Sequence, residues 1–216
     1  LAGAALLYGC ASSPKQGSNE APQATTPLAG MLGRQLLVLP TQYVSVVNPG
    51  GGSDIDPNAS TLTPILDEEI ADTFHKRGVK SNWTFGLEIT QSACRNGGLA
   101  GDPRELGAQS IRRLKAGDTP LPEPLGTQIR NLVSLTSARY VLLPLEVRID
   151  TRDGERRGSL RVLLIDSRTA RITWVDDVDA TPVRDPQVVN DVMSPYGFRI
   201  LARDLATKFG DMVVAQ

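Results

Sequence analysis

Tyr140-Val141-Leu142-Leu143-Pro144-Leu145-Glu146-Val147-Arg148-Ile149-Asp150 and Ser159-Leu160-Arg161-Val162-Leu163-Leu164-Ile165-Asp166 carry the strongest structural signal in the chain. Apolar residues recur at every second position, the period of a β-strand. The alternation predicts Val141, Leu143, Leu145, Val147 and Ile149 on one face, with Leu142, Pro144, Glu146, Arg148 and Asp150 on the other. Asp153-Gly154 between the runs has the chemistry of a two-residue hairpin turn. On the return strand Leu160, Val162 and Leu164 share a face, opposite Ser159, Arg161 and Leu163. A second turn, Asp166 to Arg171, leads to a third strand in which Ile172, Trp174 and Val178 align. These features predict an antiparallel three-strand meander with one buried face.

Helices flank the meander. After it, Ser194-Pro195 opens a closing helix, with Tyr196, Ile200, Leu201, Leu205, Phe209, Met212 and Val213 as its apolar stripe. Before it, Pro124 to Ser137 reads as a helix with Leu125, Ile129, Leu132, Val133 and Leu135 inward, and Asp102 to Lys115 as another. The proline-rich run Thr119 to Pro124 separates the two and cannot be helical in its middle. Further upstream, Thr61 or Thr63 caps a helix with Pro64 in its first turn, ending at Gly78. Its inward residues are Leu62, Ile65, Leu66, Ile70 and Phe74; a short strand, Val79 to Phe85, follows. Arg34 to Val47 is the first strand, and its continuous Leu36–Leu39 run suits burial on both faces. The loop after it continues to Ser60. The fold class is therefore α/β: a single domain, a mixed sheet ending in the meander, helices packed on the sheet and a closing C-terminal helix.

The N-terminal segment places the protein. Leu1 to Gly9 is apolar and ends at Cys10, and residues 11–33 are rich in Ser, Pro, Gln, Ala and Gly. Nine apolar residues fall short of the about 20 that span a bilayer, and they match the hydrophobic region of a signal peptide. The pattern resembles a bacterial lipobox, in which a lipid is attached to the cysteine. Residues 1–9 are read as a truncated signal peptide, 10–33 as a lipidated tether and 34–214 as a periplasmic α/β domain. Ala11 and Ser12 carry no Asp retention signal, so the resemblance implies the periplasmic face of the outer membrane.

The order of elements resembles a group of envelope proteins: the TolB N-terminal-domain family, the curli-secretion lipoproteins and the lipoproteins that activate penicillin-binding proteins. The residues carrying this are Leu36-Leu37-Val38-Leu39-Pro40, Ala138-Arg139-Tyr140-Val141-Leu142, and Ser159 through Asp166 to Trp174. In the last hairpin Ala170 stands where those families usually have glycine. The resemblance covers about residues 34–214 and implies binding of other envelope components rather than catalysis.

Composition narrows the chemistry. A net charge of -1 gives no basic field for nucleic acid. There is one histidine, His75, read as a helix C-terminal residue, so any Ser–His–Asp triad would have to use it. Cys94 reads as an unreactive loop residue. Asp54 to Ser60 alternates oxygen ligands, but Ala59 and Ile65 stand where a calcium loop needs Gly and Glu. Gly50-Gly51-Gly52 lacks the Lys of a phosphate loop. Asp176, Asp177 and Asp179 read as solvated carboxylates at a strand end. No cofactor or metal is expected. Eight arginines crowd residues 139–171, and Arg148 and Arg161 are the candidates for contact with a partner, against the simpler reading of a solvated face with cross-strand ion pairs. The expectation is a non-catalytic binding or assembly module, lipid-anchored, with an envelope protein partner and possible self-association. The alternatives are a subunit of a homo-oligomeric secretion channel, with Leu36–Val47 and Ser81–Ile89 as loose candidates for membrane strands, and a hydrolase-type enzyme.

Overall fold

The computed structural model describes residues 28–47, 53–79, 82–114, 118–185, 191 and 193–214. Cys10 and residues 11–27 lie outside them; residues 28–33 of the segment read as a tether lie inside them, with Ala29–Met31 a 3₁₀ turn and Leu28 fully buried in the core. One mixed sheet organises the domain. Its long strands are β6 (Tyr140–Arg152), β7 (Glu155–Asp166) and β8 (Arg171–Asp179), the antiparallel meander expected from the alternation. Asp153 and Gly154 both have positive φ, and Arg152 pairs with Glu155, so the hairpin is the two-residue turn that Asp-Gly favours.

The Arg34–Val47 region forms two strands, β1 (Leu36–Val38) and β2 (Tyr43–Val47), both parallel to β6. Pro40 lacks the N–H that a continuous ladder would need. β3 (Ser53–Ile55) pairs antiparallel with β2 where the sequence predicts only loop. β4 (Trp83–Thr84) pairs with β1, a much shorter strand than Val79–Phe85. β5 (Thr119–Pro120) lies on the outer edge of β8, where a proline is tolerated. The order across the sheet is β3-β2-β6-β7-β8-β5, with β1 beside the first residues of β6.

Both faces of the sheet are covered. α1 (Ala59–Lys76) and α4 (Pro195–Val214) pack on one face, burying Leu62, Leu66, Ile70 and Phe74 with Phe198, Leu205 and Phe209. α2 (Gly86–Arg95) and α3 (Leu125–Ser134) pack on the other through Ile89, Leu125, Ile129 and Leu132. The single buried face expected for the meander is therefore corrected, and the cause is local. Register slips between Pro144 and Glu146, leaving Leu145 as the extra residue of a β-bulge. Pro144 cannot donate to the ladder, and the bulge accommodates it. The slip reverses the alternation: Val141, Leu143 and Leu145 face α2 and α3, whereas Val147 and Ile149 join Leu142 under α1 and α4. A second slip between Leu164 and Ile165 turns Ile172 away from Trp174 and Val178.

The helices also differ in part from expectation. α1 begins at Ala59, so Pro64 lies inside it rather than in its first turn. α2 is a helix where none is predicted. Glu88 accepts the Phe85 N–H at 3.0 Å, half of a capping box. Asp102 to Lys115 is not a continuous helix; only Gln109–Ile111 makes a 3₁₀ turn. The reason is that side chains distant in sequence take its backbone donors. Leu106 N–H goes to Gln42 Oε1 (3.0 Å) and Gly107 N–H to Gln128 Oε1 (2.8 Å). α4 starts as read, with Ser194 Oγ accepting the Gly197 N–H, but Tyr196 and Ile200 are exposed and Phe198 is buried.

Ala170 has φ +51°, a left-handed conformation in the β7–β8 turn. That costs a residue with a Cβ about 1–2 kcal/mol, and glycine gives part of it back as lost chain entropy. Ala170→Gly is expected to raise stability by about 1 kcal/mol. A urea midpoint that moves up with unchanged slope checks this; a lower midpoint contradicts it.

Candidate binding site

The Pro144 bulge sets the site. It leaves Glu146 on the α2/α3 side of the sheet but past the apolar residues of that face, directly opposite Arg161 on β7. Glu146 is fully buried. Ser45 Oγ on β2 donates to its Oε1 at 2.6 Å, Arg112 donates to the same oxygen, and Arg148 Nη2 donates to Oε2 at 3.1 Å. Burial alone would raise its pKa. The hydrogen bonds from Arg112, Ser45 and Arg148 outweigh that and hold the carboxyl below its ordinary value, so it is ionised.

The arginines also clamp a loop. Arg148 Nη2 and Arg161 Nη1 both donate to the Arg112 carbonyl, at 3.0 and 2.8 Å. Arg161 closes a two-point pair with Asp177 on β8 at 2.8 and 2.6 Å. Ile111 is buried beneath the same loop, and the Arg112 guanidinium lies 5.1 Å over the Tyr43 ring. The result is a cavity of about 280 Å³ lined by Gln109, Ser110, Arg112, Arg113 and Arg148. Arg113 is exposed and makes no hydrogen bond or ion pair with the described residues. Chemically, two guanidiniums, Arg112 and Arg148, are fixed in direction by one buried carboxylate, and Arg113 stands exposed beside them. Glu146 has both oxygens hydrogen-bonded and no exposure to solvent, which does not suit proton transfer; a general base works best with a pKa near the operating pH.

Arg148 and Arg161 therefore meet at one site, and much of each side chain is spent holding the loop. Arg112, Arg113 and Ser45 escape sequence reading. Arg112 and Arg113 sit in the segment read as a helix, and nothing local in Ser45 marks it as a partner of a residue 101 positions away. Among the other arginines of the crowd, Arg171 pairs with Asp118 at the surface (2.8 Å), and exposed Arg139 reaches buried Asp166 (2.7 Å). Arg156 differs; it is fully buried. Of the three clustered acids, Asp177 is bound to Arg161. His75 stacks edge-on against Phe85 at the end of α1, with ring centres 4.9 Å apart. Cys94 is exposed. Leu36–Leu39 and Val44, in the first candidate membrane segment, are buried in the sheet core, and most of Ser81–Ile89 is β4 and the start of α2. No helix of the described residues is long and apolar enough to cross a membrane.

A second cavity, about 490 Å³, lies between α1 and α2 and is lined by Asp67, Glu68, Asp72, His75, Phe85, Leu87 and others. Asp67 Oδ1 accepts both the N–H and the hydroxyl of Thr41 at 2.8 Å. Burial outweighs these bonds and pushes its pKa from 3.8 up to about 6. The fold thus favours the neutral form. That stabilisation is complete below pH 3.8 and is lost as pH rises through about 6. Asp67→Asn keeps the acceptor for Thr41 and removes the loss. The variant is expected to match wild type near pH 4 and exceed it by about 2 kcal/mol near pH 7.5. Urea titrations at the two pH values test this; an equal gap at both contradicts it.

No protein-family model and no curated protein matches the chain. Solved structures with similar chain paths do exist. The LpoB C-terminal domain from Salmonella enterica is 14% identical with a TM-score of 0.39, over 74% of this chain and 96% of that one. Lipoprotein GNA1162 from Neisseria meningitidis is 13% identical with a TM-score of 0.36, over 76% and 96%. A PelC dodecamer from Paraburkholderia phytofirmans is 13% identical with a TM-score of 0.35, over 84% and 90%.

Proposed function

We propose that this chain is a non-catalytic binding and assembly module of the bacterial envelope. It is held at the periplasmic face of the outer membrane by lipid on Cys10, and it docks an envelope protein partner at the arginine-lined end of its sheet. The observation that carries the docking reading is the arginine set fixed around buried, ionised Glu146. Side chains already immobilised lose little further entropy on binding, which favours recognition. Arg148 and Arg161 act there mainly by positioning the loop, and Arg113 offers the exposed charge. The anchor rests on the sequence pattern around Cys10. Two acyl chains hold a protein on a membrane stably, at about 0.8 kcal/mol per buried CH₂.

Two results test this reading. Labelled palmitate is expected to enter the wild-type chain and not Cys10→Ala. Chemical crosslinking of the tagged chain in its native envelope is expected to give a discrete adduct with another protein, weakened by Arg113→Glu. Equal labelling of Cys10→Ala removes the anchor. A ladder at multiples of the chain's own mass replaces docking with self-assembly.

A further inference from the structure

We infer that the cavity bounded by Arg112, Arg113 and Arg148 receives a carboxylate side chain from an acidic segment of the partner; this rests on the docking reading above. Charge gives the sign. Four guanidiniums, Arg112, Arg113, Arg148 and Arg161, face two carboxylates, Glu146 and Asp177. The surplus is positive and includes the exposed Arg113. The donor geometry gives the class. Arg112 and Arg148 each use Nη2 inward on Glu146, while Nη1 of each makes no hydrogen bond with the described residues. Nε of each is buried with no partner among them. Nη1 of each guanidinium therefore keeps its donors for a second acceptor.

A single acidic side chain suits the cavity by charge and by size. The cavity, at about 280 Å³, is small for a bulky headgroup and large enough for one acidic side chain. Ser110 and Gln109 at its rim add neutral donors for the flanking backbone. Recognition of acidic motifs by arginine clusters is a general mode of peptide binding.

The test is a titration of the full chain with a poly-glutamate peptide, followed by NMR of the backbone amides of Gln109, Ser110 and Arg113. Shifts confined to this loop are expected, with affinity falling about tenfold in Arg113→Glu, the equivalent of one charge-assisted hydrogen bond. Arg113 is exposed, so the variant keeps the fold, and an unchanged amide spectrum elsewhere confirms that. Affinity should also fall with salt. No shift at millimolar peptide, equal affinity in Arg113→Glu, or tighter binding of inorganic phosphate at the same amides overturns the inference. If the envelope adduct persists and depends on Arg113 while the peptide does not bind, docking stands and the acidic-segment inference falls. If the adduct is also lost, both fall.

Discussion

Glu146→Ala is expected to destabilise the domain by about 3 kcal/mol, toward the lower end of the range for breaking a buried ion pair. The substitution leaves Arg112 and Arg148 facing one another with no carboxylate between them, and leaves Ser45 without its acceptor. Their side chains are 16% and 30% exposed, so solvent relieves part of the repulsion and the value sits low in that range. Glu146→Gln, which keeps an acceptor, is expected to cost less. The loop carrying Arg112 and Arg113 should also loosen, because the side chains that clamp its carbonyl are no longer held. Urea unfolding measures the first effect and amide exchange at Gln109–Arg113 the second. A loss under about 1 kcal/mol would mean that the carboxylate does not organise these arginines.

Phe74→Ala is expected to cost about 4 kcal/mol, a large part of the total stability of a domain of this size. Phe74 is fully buried, and its ring centre lies 5.4 Å from Trp83, 6.2 Å from Phe85 and 5.2 Å from Phe209. It therefore joins α1 to β4, to the start of α2 and to α4. Deleting the ring loses its transfer energy and leaves a cavity that elements held at several points cannot collapse to fill. Phe74→Leu should cost about a third as much, since most of the volume is retained. Equal losses for the two variants would show that the aromatic contacts, rather than volume, carry the effect.

These two positions differ in how far the sequence shows them. Phe74 lies on the helical stripe of α1, and its burial follows from spacing alone. Asp153-Gly154 and Ser194-Pro195 are equally plain, because turn and cap chemistry is local. The bulge at Leu145 is not, although Pro144 inside a central strand is a sign that the ladder must slip there. Missing it puts Val147 and Ile149 on the wrong face. The loop at Asp102–Lys115 fails for another reason. Its shape is set by Gln42 and Gln128, 64 and 21 positions from their acceptor-seeking amides. No window on the segment itself contains that information. The site inherits this limit: Arg148 and Arg161 are visible from alternation, whereas Arg112 meets Glu146 and Arg113 lines the cavity only once the loop is folded over the sheet.

The most direct test of docking at the arginine-lined end of the sheet is site-specific photocrosslinking in the native envelope. A photoreactive residue would replace Ser110 in the full chain, with Thr207 on the far helix α4 as the control. The account predicts one adduct with a different envelope protein from position 110, diminished by Arg113→Glu, and none from position 207. Equal adducts from both positions, or an adduct at 110 indifferent to Arg113→Glu, would contradict it.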